Sequence, residues 1–163
     1  MYLGIEIGGT KLQLGVGTGN GPPLIALERR TVERTQGAAA IREQILDAGQ
    51  KLFSQYPIKR IGYGFGGPVN SATGRVITSH QVEGWTVFPI VDWTREAFGV
   101  PVRLGNDCDV AALAEATYGA DARRHNLTIL TVYGYYEVLA RFQTGDDAGA
   151  LDIMRRAWGN MLA

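Results

Sequence analysis

A carboxylate, two glycines, a hydroxyl and a lysine stand together near the start of the sequence, in the stretch YLGIEIGGTKLQLGV. The backbone N–H groups of a turn formed by Gly8 and Gly9 make a concavity that binds anions, and Thr10 and Lys11 would add a hydroxyl donor and a positive charge for a phosphate. Glu6, at the end of the preceding strand, could hold a magnesium ion or its waters. The same residues also fit a plain hairpin turn with solvated flanking charges, and their spacing leaves both interpretations open.

A second group with chemical potential lies in the stretch VPVRLGNDCDVAALAEATYG. A predicted strand over 100–104 ends there, Gly105 makes a turn, and Asn106 and Asp107 open a helix. Asn and Asp are leading N-cap residues, so a helix cap alone explains either one. A carboxylate at the carboxyl end of a strand in an α/β sheet also lies where ligands usually bind. In that position Asp107 would accept the proton of a hydroxyl that attacks a phosphoryl group, and Asn106 would orient the ligand.

The elements that must position these residues follow from hydrophobic periodicity. Apolar residues alternate on both sides of the glycine turn and predict a β-hairpin, and helical spacing predicts a helix over 38–56 that Pro57 terminates. The other predicted elements are strands over 24–31, 60–65, 100–104 and 127–132, helices over 90–98 and 107–118, and two last helical segments over 135–142 and 147–162. This order predicts an α/β fold with a mixed sheet and flanking helices.

The composition is that of a globular protein without a strong electrostatic preference. Sixteen basic and sixteen acidic residues balance, so no net field draws the chain to nucleic acid or to anionic lipid. The single cysteine, Cys108, excludes an internal disulfide framework and fits a reducing cytosol. No apolar run approaches about 18 residues, and we expect a cytoplasmic protein without a membrane partner. His80 and His125 lack neighbouring ligands at zinc spacing, so no zinc site is expected.

Three motifs occur in order along the chain: EIGGTK at the start, GFGGPVNSATGRV in the middle and GNDCDVAALAEATYG near residue 110. This ordered set, which covers roughly residues 1–120, resembles the ROK family of sugar kinases and sugar-responsive repressors. The resemblance implies the actin-like, ribonuclease H-like ATPase fold, with residues 1–133 forming its N-terminal lobe.

The resemblance also implies roles for individual residues. Gly8, Gly9, Thr10 and Lys11 would face the phosphates of ATP, Gly66 and Gly67 would line the sugar cleft, Asn106 would bind the sugar, and Asp107 would be the general base. The implied reaction is the ATP-dependent phosphorylation of a hexose such as glucose, in which Asp107 takes the proton of the 6-hydroxyl. Magnesium, Lys11 and the hairpin amides would neutralise the triphosphate, because phosphoryl transfer depends mostly on positioning and charge neutralisation.

Three features of the region that resembles the family bear on the expected type of member and on its substrate. The family's DNA-reading members carry an N-terminal helix-turn-helix, whereas this sequence begins with a strand, so we expect a kinase-type member without a nucleic-acid partner. The family usually has Asp at the position of Glu6. The glutamate side chain is longer by one methylene, which places its carboxylate farther from the strand. The loop SHQVEGW has Gln81 and Glu83 where relatives often carry Asn and Pro, and this leaves the sugar preference open.

The C-terminal segment departs from the family pattern more strongly. The second glycine-rich phosphate loop, the Glu-x-Gly-His sugar motif and the cysteine-rich zinc site of the family do not occur in this sequence. Residues 134–163 resemble, more weakly, a helical hairpin from the (α/α)₆-barrel domain of α-L-rhamnosidase-like glycoside hydrolases, without any catalytic carboxylate of that family. We expect this tail to replace the second lobe, with an apolar stripe that packs on the first lobe or forms a homo-oligomer. A non-catalytic sugar-binding or structural remnant and an oligomerising module therefore stay open beside the kinase.

Overall fold

The computed structural model describes residues 1–118, Gly145, 148–149 and Leu151. The chain divides into two compact units, residues 1–114 and 115–163, and nearly all described residues belong to the first. The strand predicted over 127–132, the helical segment predicted over 135–142 and all but three residues of the segment 147–162 lie outside the described residues. The predicted C-terminal helical hairpin lies outside them as well.

A five-stranded mixed sheet forms the centre of the first unit. In chain order the elements are β1 (Tyr2–Ile7), β2 (Lys11–Gly17), β3 (Ala26–Thr31), a 3₁₀ turn (Arg34–Gln36), α1 (Gly37–Gln55), β4 (Arg60–Phe65), β5 (Val69–Asn70), β6 (Arg75–Val76), α2 (Ile90–Phe98), β7 (Val102–Asn106) and α3 (Asp107–Tyr118). The strand order is β3-β2-β1-β4-β7, and β5 pairs with β6 in a small separate sheet. The first three strands form an antiparallel meander, whereas β1, β4 and β7 run parallel. The predicted α/β fold with a mixed sheet and flanking helices is confirmed.

One face of the sheet carries the hydrophobic core. Alternate residues of the strands point to this face because successive side chains of a strand alternate between its two sides. The fully buried members of this set from β1 and β2, together with those of α1 and α2, are Leu3, Ile5, Leu12, Leu14, Val16, Ile41, Ile45, Leu52 and Ile90. Burial of apolar side chains, worth about 25 cal/mol per Å², therefore fixes which strand residues face the opposite side, where the polar residues of β1 and β2 lie.

A buried hydrogen bond joins α2 to the sheet. The hydroxyls of Tyr63 in β4 and Thr94 in α2 are 3.0 Å apart, and Thr94 Oγ1 donates to the carbonyl of Ile90 at 2.7 Å. Since the single hydrogen of Thr94 is used in that way, Tyr63 is the donor between the two hydroxyls. Burial raises the pKa of Tyr63, so the phenol stays neutral and keeps the proton that this bond requires.

Two ion pairs join α1 to the outer strand β3. Arg30 contacts Asp47 at 2.7 Å, and Lys51 contacts Glu28 at 2.6 Å. The hydrogen bond and charge of Lys51 lower the pKa of Glu28. These contacts hold the second half of α1 against β3.

The junction of β7 and α3 differs from the sequence prediction. The strand does not end at residue 104 with a turn at Gly105; it continues through Asn106, and α3 begins directly at Asp107. The reason is parallel pairing with β4, in which Gly105 lies opposite Gly64 and Asn106 lies opposite Phe65. Smaller differences concern β3, which begins at Ala26 rather than at residue 24, and α1, which is shifted by one residue.

Among the helices that the structure describes, none combines the length and the apolar character that a membrane crossing requires.

Candidate active site

The tip of the β1–β2 hairpin presents amide groups that no described residue uses. Gly8 N donates to the Lys11 carbonyl at 2.9 Å, which leaves Gly9 and Thr10 as the two residues of the tip. Their carbonyl oxygens are both occupied: Gly9 O accepts from Arg34 Nε at 2.9 Å, and Thr10 O accepts from Val32 N at 3.0 Å. Within the described part of the chain, the N–H groups of Gly9 and Thr10 donate no hydrogen bond. Free amides beside occupied carbonyls are the arrangement that binds an anion.

The absence of a side chain at Gly66 brings the hairpin and Asp107 to a common point. Gly66 N donates to the Ile7 carbonyl at 2.8 Å, which ties the end of β4 to the end of β1. A methyl group on Gly66 would lie 3.1 Å from Ile7 O, 3.4 Å from Asp107 Oδ2 and 3.6 Å from Gly8 Cα. The carboxylate oxygen and the first glycine of the hairpin therefore face the same small space. The sequence-predicted residues Gly8, Gly66 and Asp107 are brought together by β1, β4 and the start of α3.

Asn106 connects the two sides of this space by hydrogen bonds. Its Nδ2 donates to the carbonyls of Gly67 at 3.1 Å and of Phe65 at 3.4 Å, while its Oδ1 accepts from Cys108 N at 3.0 Å. The side chain thereby holds the turn after β4 against the beginning of α3. Gly67 is confined as well, since a methyl group there would lie 3.1 Å from both the Phe65 ring and the Thr78 carbonyl.

Asp107 combines a capping contact with a free carboxylate oxygen. Its Oδ1 accepts from Cys108 N at 2.9 Å, whereas its Oδ2 is the atom that faces Gly66. The cap interpretation of the sequence is present in the structure at Asn106, which precedes α3 and accepts from Cys108 N, and the contact of Asp107 with the same N–H uses only one of its two oxygens. Partial burial, followed by the carboxylates of Asp107 and Asp109, raises the pKa of Cys108.

Glu6 lies on the same side of the sheet as Asp107. Its register partner in β4 is Gly64, and a methyl group on Gly64 would lie 3.5 Å from Asp107 Cα. The Glu6 side chain itself leans toward β2, where its Oε2 accepts from Gln13 Nε2 at 2.8 Å; Gln13 Oε1 in turn accepts from Arg29 Nε at 2.9 Å. This chain of contacts orients the carboxylate through one oxygen and leaves the other for a ligand.

The fit of this carboxylate to magnesium depends on how many ligands the protein must supply. Among the residues that the structure describes, no group of three or more His, Cys, Asp or Glu side chains converges as a metal site. Magnesium is usually bound through one or two carboxylates, waters and substrate phosphates, so a single carboxylate such as Glu6 fits this ion. A zinc site would need more protein ligands than this.

Two contacts of the hairpin tip were missed from the sequence. Arg34 donates a hydrogen bond to the Gly9 carbonyl, as described. The Gln81 side chain packs so closely on Gly9 that a methyl group on this glycine would overlap with Gln81 Oε1. The Gln81 loop is fixed by Ser79, whose Oγ accepts the N–H groups of Gln81 at 3.3 Å and of Val82 at 3.2 Å. Serine two residues before a glutamine is a weak signal for such a turn, and nothing in the sequence indicates that the turn reaches the hairpin.

Comparison with known proteins identifies the class of protein. The sequence profile of the ROK family matches residues 2–134. A glucokinase of Halalkalibacterium halodurans is 31% identical over 136 residues, which are 80% of this chain and 41% of that protein. The chain thus spans about two fifths of the length of this relative.

Solved structures agree with this match. A ROK family glucokinase from Streptomyces griseus, in complex with glucose and AMPPNP, has a TM-score of 0.66 and 26% identity, and the match covers 73% of this chain and 37% of that one. The ROK hexokinase from Thermus thermophilus has a TM-score of 0.62 and 30% identity, with coverage of 71% and 38%. The mixed sheet and its flanking helices are those of the actin-like ATPase fold found in these neighbours. The chain belongs to the ROK family.

Proposed function

We propose that this chain carries the sugar-activating half of an ATP-dependent hexose kinase, with a glucose-like substrate. The observation that supports this proposal best is the common space between Asp107 Oδ2, Gly66 and Gly8. It is narrow enough for a carboxylate and a phosphate-binding turn to act on neighbouring atoms of two substrates. The ROK glucokinase that was crystallised with glucose and AMPPNP supports the same two ligand classes.

In this proposal Asp107 is the general base. Its Oδ2 accepts the proton of the attacking sugar hydroxyl, while the contact of Oδ1 with Cys108 N keeps the carboxylate oriented. Asn106 fixes the turn at Gly66 and Gly67, so the sugar meets a rigid wall, and its Oδ1 contributes a lone pair at the cleft. A positioned base contributes about 10²- to 10⁴-fold to the rate.

The hairpin is proposed as the phosphate side of the site. The free amides of Gly9 and Thr10 and the ammonium of Lys11 bind the terminal phosphates, and Glu6 would hold a magnesium ion. When bound, magnesium supplies charge neutralisation for the phosphate oxygens. The remaining nucleotide contacts fall to parts of the fold beyond the matched residues, because the relatives are more than twice as long. The cytoplasm, where ATP is made, is the compartment that this activity requires.

A coupled ADP-release assay with ATP, magnesium and glucose tests the proposal. We expect ADP formation that depends on glucose, and a loss of about 10²-fold or more in Asp107→Asn. The substitution keeps the contact with Cys108 N, so an equal melting temperature of the two proteins serves as the control for folding. ADP release at the same rate in both proteins would remove the assignment of Asp107 as the base.

A second candidate function is a sugar-binding module without catalysis. The observation that favours it is the sequence of residues 134–163, in which the family's second glycine-rich phosphate loop and Glu-x-Gly-His motif do not occur. In that case residues 1–133 remain a sugar-binding lobe, and residues 134–163 serve as a cover or as an oligomerising element. Calorimetry with glucose alone separates this candidate from the kinase, because binding without ADP release is its signature. Light scattering tests the homo-oligomer, which requires a mass above that of one chain.

A further inference from the structure

The turn that follows β3 contributes a cation to the hairpin tip. We propose that Arg34 is a positioning residue for the phosphate side of the site, which fixes the tip peptide and adds a second positive charge, beside Lys11, for the phosphate chain of a nucleotide. This inference rests on the proposed function, because the hairpin is a phosphate site only if the chain binds a nucleotide.

The contact with Gly9 determines the direction of an amide that a phosphate would use. Arg34 Nε donates to Gly9 O at 2.9 Å. That carbonyl belongs to the same planar peptide as the N–H of Thr10, so holding the oxygen fixes the N–H on the opposite side. Val32 N holds the next carbonyl, that of Thr10, at 3.0 Å. The Gly9–Thr10 and Thr10–Lys11 peptides are therefore oriented from the β3 side before any ligand arrives, and of the two free amides it is the N–H of Thr10 that Arg34 directs.

The charge of Arg34 is not neutralised by a neighbouring acid. Two other arginines of the first unit are paired with acids, Arg30 with Asp47 and Arg95 with Asp92. Within the described residues, Arg34 forms no salt bridge, and its only side-chain hydrogen bond goes to an uncharged carbonyl. The guanidinium is exposed, and its two terminal NH₂ groups remain as donors in a geometry that matches phosphate oxygens.

A purely structural role would have a different signature. If Arg34 only tied the turn to the hairpin, its loss would lower stability and disturb every ligand of the lobe alike. A charge that acts on phosphate affects phosphate ligands selectively, and its effect weakens as salt concentration rises. The proposal therefore predicts a selective, salt-dependent change.

The test is calorimetry on the full chain with three probes: inorganic tripolyphosphate, ATP with magnesium, and glucose. We expect Arg34→Gln to weaken tripolyphosphate and ATP binding about three- to tenfold at low salt, with a smaller loss at high salt. Arg34→Lys keeps the charge but not the guanidinium fork, so its affinity for tripolyphosphate and ATP should lie between those of the wild type and Arg34→Gln. Glucose affinity should not change. Arg60→Gln is the matched control. Arg60 is an exposed arginine at the start of β4, whereas the site lies beyond the end of that strand.

The possible outcomes separate this inference from the proposed function. Unchanged tripolyphosphate and ATP affinity in Arg34→Gln, beside a wild-type chain that binds both, overturns the role of Arg34 alone. A parallel loss of glucose affinity and melting temperature also overturns it, in favour of a structural role. A wild-type chain that binds neither tripolyphosphate nor ATP overturns the nucleotide site and this inference together.

Discussion

Asp107 uses its two carboxylate oxygens for different purposes. Oδ1 accepts the N–H of Cys108 at 2.9 Å, beside the cap that Asn106 forms to the same group, while Oδ2 faces Gly66. A contact with the helix and proton abstraction do not exclude each other when they use different oxygens. A carboxylate can do both, and the contact restrains its rotation. The sequence indicated each role separately, but only the position of Gly66 identifies which oxygen is available.

The thiol next to this carboxylate should react slowly. Partial burial and the charges of Asp107 and Asp109 raise the pKa of Cys108, so less thiolate is present at a given pH than in an ordinary cysteine. We expect Asp107→Asn to lower this pKa and to accelerate alkylation by iodoacetamide at pH 8. The pH dependence of the alkylation rate measures the effect, and the signal is unambiguous because the chain has one cysteine. Equal rate profiles for the two proteins would contradict the electrostatic cause.

A strained residue lies in the loop that leads to α2. Val87 has φ 53°, a left-handed conformation that is unfavourable for a β-branched side chain. Its backbone is held there, because Val87 N donates to Ile77 O at 3.1 Å and Val87 O accepts from Arg75 Nη1 at 3.0 Å. Asn tolerates this conformation, so we expect Val87→Asn to raise the free energy of unfolding by about 1 kcal/mol. Urea denaturation is the measurement, with Ile77→Asn as an exposed control that should bring no gain.

At the scale of elements, the packing of α1 against α2 depends on a glycine inside a helix. Gly49 lies in α1, and a methyl group there would lie 2.5 Å from Cζ of the Phe98 ring. That ring also stacks on Phe53 of α1, with centroids 4.9 Å apart. Gly49 is thus the residue that lets the last turn of α2 approach α1.

This packing reverses the usual effect of a helical glycine. In an exposed helix Gly→Ala stabilises by about 1 kcal/mol, but overpacking a filled site costs about 1–3 kcal/mol. We expect Gly49→Ala to lower the free energy of unfolding by about 1 kcal/mol, measured by urea denaturation. Phe98→Leu in the same chain should recover part of the loss by making room for the methyl group. A more stable Gly49→Ala protein would mean that the ring moves aside at little cost.

The limits of sequence reasoning are visible at the β7–α3 junction. The bounds of β4, α2 and α3 were predicted as the structure has them, because hydrophobic periodicity is a local signal. The predicted end of β7 was wrong, because the true end depends on the pairing of Gly105 and Asn106 with residues about forty positions earlier in the chain. The contacts of Arg34 and Gln81 with Gly9 have the same long-range origin, so no local pattern predicted them.

At the scale of the whole molecule, the balance of charges controls solubility more than binding. The sequence pI is about 6.7, and exposed apolar side chains such as Leu24 and Leu27 remain on the described surface. Proteins associate most readily where their net charge is near zero. We therefore expect a solubility minimum near pH 6.7, measured as turbidity at low salt. Gln55→Glu and Gln55→Lys, at an exposed position, should move the minimum in opposite directions; a minimum that stays in place would point to a cause other than net charge.

The two-residue length of the hairpin tip limits where this fold tolerates insertions. Since Leu12, Leu14 and Val16 all face the core in register with β1, one extra amino acid at the tip would slip the pairing and expose all three. The connection over residues 18–25 has no such restriction, because it is almost wholly exposed. A peptide tag or a fluorescent reporter therefore belongs in that connection, where it would leave the hairpin tip, at the opposite end of β2, undisturbed.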